Sequence, residues 1–308
     1  MDRSIRKERA QNLWSSFARK HDPVSRATEI DPLPEIELDQ IGGLVGPREE
    51  IQTYACAATS PEVYERWGTY PPSGLLLIGR QGTGKRLIAA ALASLTETAF
   101  LRVDVPRLVI EVVQHGIKVG DLVNQWSQTL GEMPPTTVLF DELEFSQAHE
   151  IGTRRPDLPI GPVMDFLLDL VDRTIHVENT LVVGSTSHPD TLRQAFLQPG
   201  RLERIVEVSP TFPDDIIAAL RIHAARSEDR ADHRLFESID WKDVVESYPA
   251  PSTGEWIHIM HSVLRRKARC EAGNETATPV TTGDLHEEVE RHKRANNRLA
   301  VPEGGNYV

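Results

Sequence analysis

Four short runs rich in apolar residues lie along the middle of the chain, each bounded by polar or glycine residues. They are SGLLLIG (73–79), TTVLF (136–140), TLVVGS (180–185) and ERIVEV (203–208). Continuous apolar runs of this length are typical of strands buried on both faces of a parallel sheet. Helix-forming stretches such as KRLIAAALASL (85–95) separate them. This alternation predicts a parallel sheet with helices on both faces.

The predicted secondary structure changes from alternating strands and helices to helices alone after the segment SPTFPDD (209–215). Four helical stretches follow it, at 214–226, 241–247, 254–272 and 281–294. The predicted fold class is therefore α/β, a parallel sheet sandwiched by helices and followed by a small all-helical domain. The predicted segments are an α/β domain at 37–209, a helical domain at 210–294 and a tail at 295–308.

The first 36 residues predict a helix followed by a linker. Within residues 1–22, Leu13 and Phe17 lie four positions apart and share one helical face, with Trp14 beside them. This face indicates either a helix docked on the protein's own body or a helix that binds a partner or a second copy. The segment DPVSRATEIDPLPEIELD (22–39) contains three prolines, which predict a linker.

Charge and cysteine content argue against several classes of protein. The chain has 34 basic and 46 acidic residues, a net charge of −12, whereas nucleic-acid-binding proteins need a basic face for the phosphates. Cys56 and Cys270 are too few for a disulfide framework or a zinc site. No apolar run approaches the roughly 20 residues of a membrane span, and MDRSIRKERA (1–10) lacks the apolar stretch of a signal peptide. We therefore expect a cytoplasmic protein that does not span a membrane.

The stretch GRQGTGKR (79–86) joins the first apolar run to the helix at 85–95, which is the arrangement of a phosphate-binding loop. Its glycines leave backbone N–H groups free to point at phosphate oxygens, the helix N-terminus adds its dipole, and Lys85 adds a full charge. Arg86 stands where a Ser or Thr hydroxyl would ligate Mg²⁺. The predicted phosphate-binding residues are Gly79, Gln81, Gly82, Thr83, Gly84, Lys85 and Arg86.

Two carboxylates, Asp141 and Glu142, end the apolar run at 136–140. After a phosphate loop, an Asp at this place holds Mg²⁺, directly or through water, and the following Glu positions and polarises the attacking water. The two segments support each other, so we predict a nucleotide site with Asp141 as its metal residue and Glu142 as its catalytic carboxylate.

Several segments, in this order, resemble one module of the AAA family of AAA+ ATPases, nearest to proteasomal-ATPase, Cdc48-like and FtsH-like modules. The resemblance extends from about residue 38 to 293 and implies a P-loop NTPase domain with a helical lid. The segments that carry it are DQIGGL (39–44), PEVYERWGTYPPSGLLLIGRQGTGK (61–85), STSHPDTLRQAFLQPGRLER (185–204), RIHAAR (221–226) and STGEW (252–256).

The resemblance implies a role for each matching residue. Lys85 would contact the β- and γ-phosphates of ATP or ADP, Asp141 would serve Mg²⁺ and Glu142 the attacking water. His223 would lie at the base or the ribose, although it could equally be a packed histidine of the lid. The residues expected around adenine and ribose are Ile41, Gly42, His223 and Gly254.

Arg201 and Arg204 in PGRLER (199–204) keep the spacing of the family's arginine fingers. By resemblance they would reach into the site of a neighbouring subunit, where such a finger is worth about 10³–10⁵ in rate. A single subunit would then lack a complete site, and the resemblance implies a homo- or hetero-oligomeric ring, usually a hexamer. The alternative is a pair of ordinary surface arginines.

The chain departs from the family pattern at four places, which concern metal binding, the attacking water, the grip on substrate and the contact of the lid. Arg86 replaces the magnesium-binding Ser or Thr, and Ser187 stands in place of the sensor asparagine that helps to hold the attacking water. Val112 stands in place of the pore-loop aromatic that grips substrate. Glu255 and Trp256 stand where small and acidic residues are usual, which implies an altered contact of the lid.

An arginine at position 86 has two alternative roles. Its guanidinium could place positive charge near the phosphates, or it could pair with a carboxylate and occupy the metal site when no nucleotide is bound. We therefore predict a contact between Arg86 and Asp141 or Glu142, and a compromised metal site.

Two functions remain compatible with these residues. The first is an ATP-binding module of a ring that remodels a protein partner by ATP hydrolysis, with weakened catalysis. The alternative is a nucleotide-binding but hydrolysis-deficient assembly or regulatory subunit. A zinc protease is excluded, because His286 and His292 in HEEVERH (286–292) are six positions apart and cannot bind one zinc as H-E-x-x-H does.

Overall fold

The computed structural model describes residues 3–144, 160–249, 251–274 and 276–300. They fall into two compact units. The first comprises the chain up to Leu38 together with Val45–Ser209, and the second comprises Asp39–Leu44 together with the chain from Pro210. The N-terminal segment expected at 1–36 therefore falls in the first unit, and residues 39–44 of the expected α/β domain (37–209) fall in the second.

The first unit is built on a six-stranded sheet of order β1-β3-β4-β5-β2-β6. All neighbouring strands run parallel except β1, which pairs antiparallel with β3. The predicted α/β fold with a parallel sheet is confirmed. The strands are β1 (Thr28–Asp31), β2 (Leu75–Ile78), β3 (Ala99–Asp104), β4 (Thr136–Asp141), β5 (Thr180–Thr186) and β6 (Arg204–Glu207).

Eight α-helices of the first unit lie among the described residues. The sheet and the helices against it form one apolar core, whose buried members include Leu76, Leu101, Val138 and Phe140. The helices are α1 (Arg3–Lys20), α2 (Asp22–Arg26), α3 (Val45–Thr59), α4 (Pro61–Arg66), α5 (Lys85–Leu95), α6 (Val105–Gln114), α7 (Val119–Glu132) and α8 (Ile160–Ile175).

The segment expected to be a linker contains two elements, α2 and β1. Pro23 lies in the first turn of α2, where a missing backbone N–H costs no helical hydrogen bond. Pro32 and Pro34 follow β1 and do not interrupt it. The prolines therefore bracket an edge strand, which the sequence reading missed because only four residues pair with β3.

Helix α1 docks on the protein's own first unit, which was one of the two alternatives for this segment. The side chains of Trp14 and Phe17 are buried. The Trp14 ring meets the Trp126 ring of α7 edge-on, with centroids 5.3 Å apart. Aromatic pairs at such distances add to the stabilisation from buried area.

The second unit is helical, as its sequence predicts. Trp256, Ile259 and Val263 form one buried stripe of α11, whose N-terminus has a capping box between Ser252 and Glu255. The last helix reaches Ala300, six residues beyond the predicted end at 294, and the rest of the predicted tail lies outside the described residues. The helices are α9 (Asp214–Ala231), α10 (Trp241–Glu246), α11 (Thr253–Ala272) and α12 (Thr282–Ala300). Among the described residues, no helix is both long and apolar enough to cross a membrane.

Candidate functional site

The loop at 79–84 connects β2 to α5 through three glycines with positive φ. The φ angles are +152° at Gly79, +76° at Gly82 and +106° at Gly84, values that side chains with a Cβ rarely adopt. A Cβ at Gly79 would also lie 2.3 Å from the carbonyl oxygen of Val208. The glycines are therefore required for a loop that turns tightly into the N-terminus of α5.

Lys85 is the first residue of α5, and its side chain is folded back over the loop. Its Nζ donates to the carbonyl oxygens of Gly79 (2.5 Å) and Arg80 (3.0 Å) and to Oγ of Ser187 (2.9 Å). Burial lowers the pKa of Lys85, and the charge of nearby carboxylates, Glu144 first, opposes this shift. The lysine is thus a buried cation, held at the loop by oxygen acceptors.

Asp141, the last residue of β4, is only 3% exposed and both of its carboxylate oxygens are engaged. Oδ2 accepts from Nε of Arg86 and from Nε of Arg102, the latter at 2.9 Å. Oδ1 accepts from Oγ of Ser185 at 2.6 Å. Arg86 Nη2 also lies 3.8 Å from Oε1 of Glu142. The predicted contact of Arg86 with these carboxylates is confirmed.

Arg102 is a member of this cluster that the sequence reading missed. It lies on β3, next to β4 in the sheet, and its Nη1 donates to Oε2 of Glu29 on β1 at 3.0 Å. Burial favours a lower pKa of the guanidinium, but the hydrogen bonds to Asp141 and Glu29 outweigh it and raise the pKa. The only signal in the sequence is one basic residue in the alternating stretch AFLRVD (99–104).

Glu142 follows Asp141 with a left-handed backbone, at φ +59°. Its N–H donates to Oγ of Ser185 at 3.2 Å. Burial and the charge of Asp141 raise the pKa of the Glu142 carboxyl, while the charge of Arg86 partly opposes the shift. Such a backbone is costly for a residue with a Cβ, so it is held by its surroundings.

Ser187 and Glu144 form a second polar group on the other side of Lys85. The backbone N–H of Ser187 donates to Oε1 of Glu144 at 2.6 Å, while Ser187 Oγ accepts from Lys85. The same Glu144 oxygen lies 3.4 Å from Nδ1 of His188, while Glu144 Oε2 is buried and has no hydrogen-bond partner among the residues that the structure describes. Glu144 was not identified from the sequence, although it is the third carboxylate of DELE (141–144).

The donor set around Asp141 does not fit Mg²⁺ without a rearrangement of arginines. A divalent cation of this kind needs carboxylate, hydroxyl or water oxygens that are free to coordinate it. Both Asp141 oxygens already accept hydrogen bonds, and Arg86 supplies a cation in place of a hydroxyl. Within the described ranges, no group of three or more His, Cys, Asp or Glu residues could hold a metal ion.

The two arginines expected to act as fingers are both paired within the first unit. Nε and Nη2 of Arg201 donate to the two carboxylate oxygens of Asp172 on α8, at 2.6 and 2.7 Å. Arg204 makes a similar two-point pair with Glu50 on α3, with Nε 2.9 Å from Oε2. These hydrogen bonds raise the pKa of each guanidinium. Neither arginine is a free surface side chain here.

The residues expected around adenine and ribose all belong to the second unit. Ile41 is buried, and the backbone at Gly42 passes so close to α9 that a Cβ there would lie 2.2 Å from Ala219 N. Gly254 lies in the first turn of α11. His223 on α9 is half-buried, with its ring 6.2 Å from that of His261. Burial and the charge of Arg226 lower the pKa of His223.

The pore-loop interpretation of Val112 is wrong. Val112 lies in α6, is 6% exposed and belongs to the apolar core of the first unit. Its neighbour Val113 is the exposed one. The periodicity of an amphipathic helix places Val112 on the buried side of α6, so this side chain cannot grip a substrate.

The sequence of this chain is similar to those of a known family and of several known proteins. Residues 75–210 match the "ATPase family associated with various cellular activities (AAA)". Proteasome-activating nucleotidases from Methanosarcina mazei and Methanocaldococcus jannaschii are 32% identical over 228 residues and 30% identical over 274 residues. These alignments cover 73% and 87% of this chain, but only 52% and 59% of the relatives. The chain thus spans little more than half the length of these relatives.

Proposed function

The chain contains a AAA ATPase domain related to proteasome-activating nucleotidases, and we propose that it binds ATP or ADP at the loop 79–86 and hydrolyses ATP weakly. Binding is supported by the glycine loop at the N-terminus of α5 and by Lys85, whose Nζ lies over that loop. Backbone N–H groups, a helix dipole and a buried ammonium group together favour a polyphosphate.

The single observation that carries the weak-catalysis part is the Arg86–Asp141 ion pair. The metal in such sites stabilises transition-state charge by several kcal/mol, and each loss of about 1.4 kcal/mol slows the reaction about tenfold. An arginine on the metal residue therefore predicts slow turnover. Asp141 is the proposed metal residue, which could coordinate Mg²⁺ for turnover only after an arginine leaves it. Glu142 and Ser187 are the proposed residues that position the attacking water.

We also propose that the protein assembles into a ring and acts on a protein partner in the cytoplasm. The relatives are proteasome-activating nucleotidases by name, which supports a protein substrate. Arg201 and Arg204 would serve the site of a neighbouring subunit only after leaving Asp172 and Glu50. On assembly, the two arginines would thus leave carboxylates of their own chain and contact the site of a neighbouring subunit.

A second candidate function is a regulatory subunit that binds nucleotide without hydrolysing it. The observation that favours it is the engagement of both Asp141 oxygens and both candidate finger arginines by groups of the same chain. In this case the protein would lend its arginines to an active neighbour. Turnover by the purified chain separates the two functions.

The test measures ATP turnover with Mg²⁺ and, separately, ATP binding for wild type, Lys85→Ala and Arg86→Thr. Slow turnover that is abolished in Lys85→Ala supports the weak ATPase. Binding without turnover, with hydrolysis appearing in Arg86→Thr, supports the regulatory subunit. Absence of ATP binding by the folded wild-type protein would overturn both.

A further inference from the structure

We propose that the loop 79–86 binds nucleotide without a divalent cation, because Arg86, held beside the loop by Asp141, supplies the charge that a metal ion would supply. This inference rests on the proposed nucleotide binding and names the form of nucleotide that the site takes, namely the metal-free polyphosphate. It is carried by three observations on the Arg86–Asp141–Arg102 cluster.

First, Asp141 is not available as a metal ligand. One of its oxygens accepts from two guanidinium groups and the other from the hydroxyl of Ser185. The carboxylate is almost fully buried, so its charge interacts strongly with both arginines. A cation that coordinated Asp141 would have to displace Arg86 or Arg102 from the carboxylate, and the displaced guanidinium would lose its ion pair with Asp141.

Second, Arg102 cannot leave the cluster easily. Its side chain is only 17% exposed, and it is also bonded to Glu29 and lies 3.8 Å from the Asp104 carboxylate. Two acidic groups, Glu29 on β1 and Asp104 on β3, thus hold one guanidinium against Asp141 on β4. The pairing of β1 with β3 and of β3 with β4 brings these groups together.

Third, Arg86 has donors left for a phosphate. Its side chain is 54% exposed, and only Nε donates to Asp141. Among the residues that the structure describes, Nη1 has no hydrogen-bond partner and Nη2 has only the distant Glu142 oxygen. A guanidinium can therefore bind Asp141 with one edge and a phosphate oxygen with another. Lys85 and Arg86, adjacent in the first turn of α5, would together offset part of the negative charge of the polyphosphate.

The test is a titration of the full chain with ATP, either in excess EDTA or in excess MgCl₂. For wild type we expect dissociation constants within about threefold of each other, since the guanidinium charge replaces that of the metal. For Arg86→Thr, which restores a hydroxyl ligand, we expect binding in EDTA about tenfold or more weaker, the loss of one charge-assisted contact, and recovery with Mg²⁺.

Two further variants define the site and the role of charge. Lys85→Ala should abolish ATP binding in both buffers, which places the bound nucleotide at the loop. Arg80→Thr removes a positive charge from the same loop without touching Asp141, and its binding should remain independent of the metal, as in wild type.

The comparison of wild type in the two buffers decides the proposal even if a variant fails to fold. Binding by wild type only with Mg²⁺ would overturn the metal-free mode while leaving nucleotide binding intact. An Arg80→Thr protein as dependent on Mg²⁺ as Arg86→Thr would overturn the specific role of Arg86. Absence of binding in either buffer would overturn the proposed function and this inference together.

Discussion

Arg201 and Asp172 form a two-point ion pair, with Nε 2.6 Å from Oδ1 and Nη2 2.7 Å from Oδ2. The pair joins the segment before β6 to α8, and both side chains are partly exposed. It occupies the two donors of Arg201 that an arginine finger would present to a phosphate. Its stability contribution therefore opposes any use of Arg201 outside its own subunit.

We expect Asp172→Asn to lower the free energy of unfolding by about 1 kcal/mol, the upper range for a well-oriented surface pair. Urea unfolding followed by circular dichroism measures this change. Asp169→Asn is the matched control, because Asp169 lies on the same helix and its partner Arg173 is more exposed and 3.5 Å away. Equal losses in the two variants would contradict a special role for the Arg201 pair.

The raised pKa of Glu142 predicts a pH-dependent gain in stability for Glu142→Gln. Because burial and Asp141 raise its pKa in the folded state, the ionised side chain costs stability above this pKa. The cost disappears below the unfolded pKa of about 4.3. We expect the amide variant to be more stable than wild type at neutral pH and to lose this advantage on acidification. Thermal unfolding between about pH 4 and 7 measures the difference, and an advantage independent of pH would contradict it.

The docked position of α1 predicts a large effect of Trp14→Ala. Trp14 is buried against Trp126 and Phe17, and removing such a side chain costs about 3–5 kcal/mol. Ile5→Ala on the exposed face of the same helix should cost much less. Urea unfolding curves of the two variants test this expectation, and similar midpoints would show that α1 does not pack as described.

The close approach at Gly42 predicts that Gly42→Ala destabilises the second unit. The added Cβ would lie 2.2 Å from Ala219 N, so the backbone must move. Gly46→Ala, where a Cβ meets nothing within 4 Å, is the control and should be neutral or stabilising by up to about 1 kcal/mol, because Gly46 lies in α3. Hydrogen exchange of the α9 amides measures the destabilisation at the contact itself. Unchanged exchange rates in Gly42→Ala would contradict the prediction.

The sequence predicted the elements whose pattern is strong and local. The four runs rich in apolar residues correspond to β2, β4, β5 and β6, and the glycine loop followed by Lys85 lies between β2 and α5 as expected. The contact of Arg86 with Asp141 was predictable because the phosphate loop and the end of the next apolar run lie at the same edge of a parallel sheet.

The sequence did not predict features that depend on strand register or on distant partners. Neither β1 nor β3 was predicted. β3 contains the charged residue Arg102, which interrupts its apolar pattern, and β1 has only four residues, all paired with β3. The meeting of Arg102 with Asp141 follows from the pairing of β3 with β4, which no local pattern specifies. Asp172, the partner of Arg201, lies 29 residues away in sequence. Nothing in the local sequence distinguishes Asp172 from the other acidic residues of the chain.

The antiparallel strand β1 has a mechanical consequence. It is anchored along its length to β3, and its Glu29 holds Arg102, which in turn holds Asp141. A pull on the N-terminal end that had detached the docked helices α1 and α2 would next load this strand, and peeling it from β3 would withdraw Glu29 from the guanidinium. Tension at the N-terminal end would thereby be transmitted through two ion pairs to Asp141, the partner of Arg86.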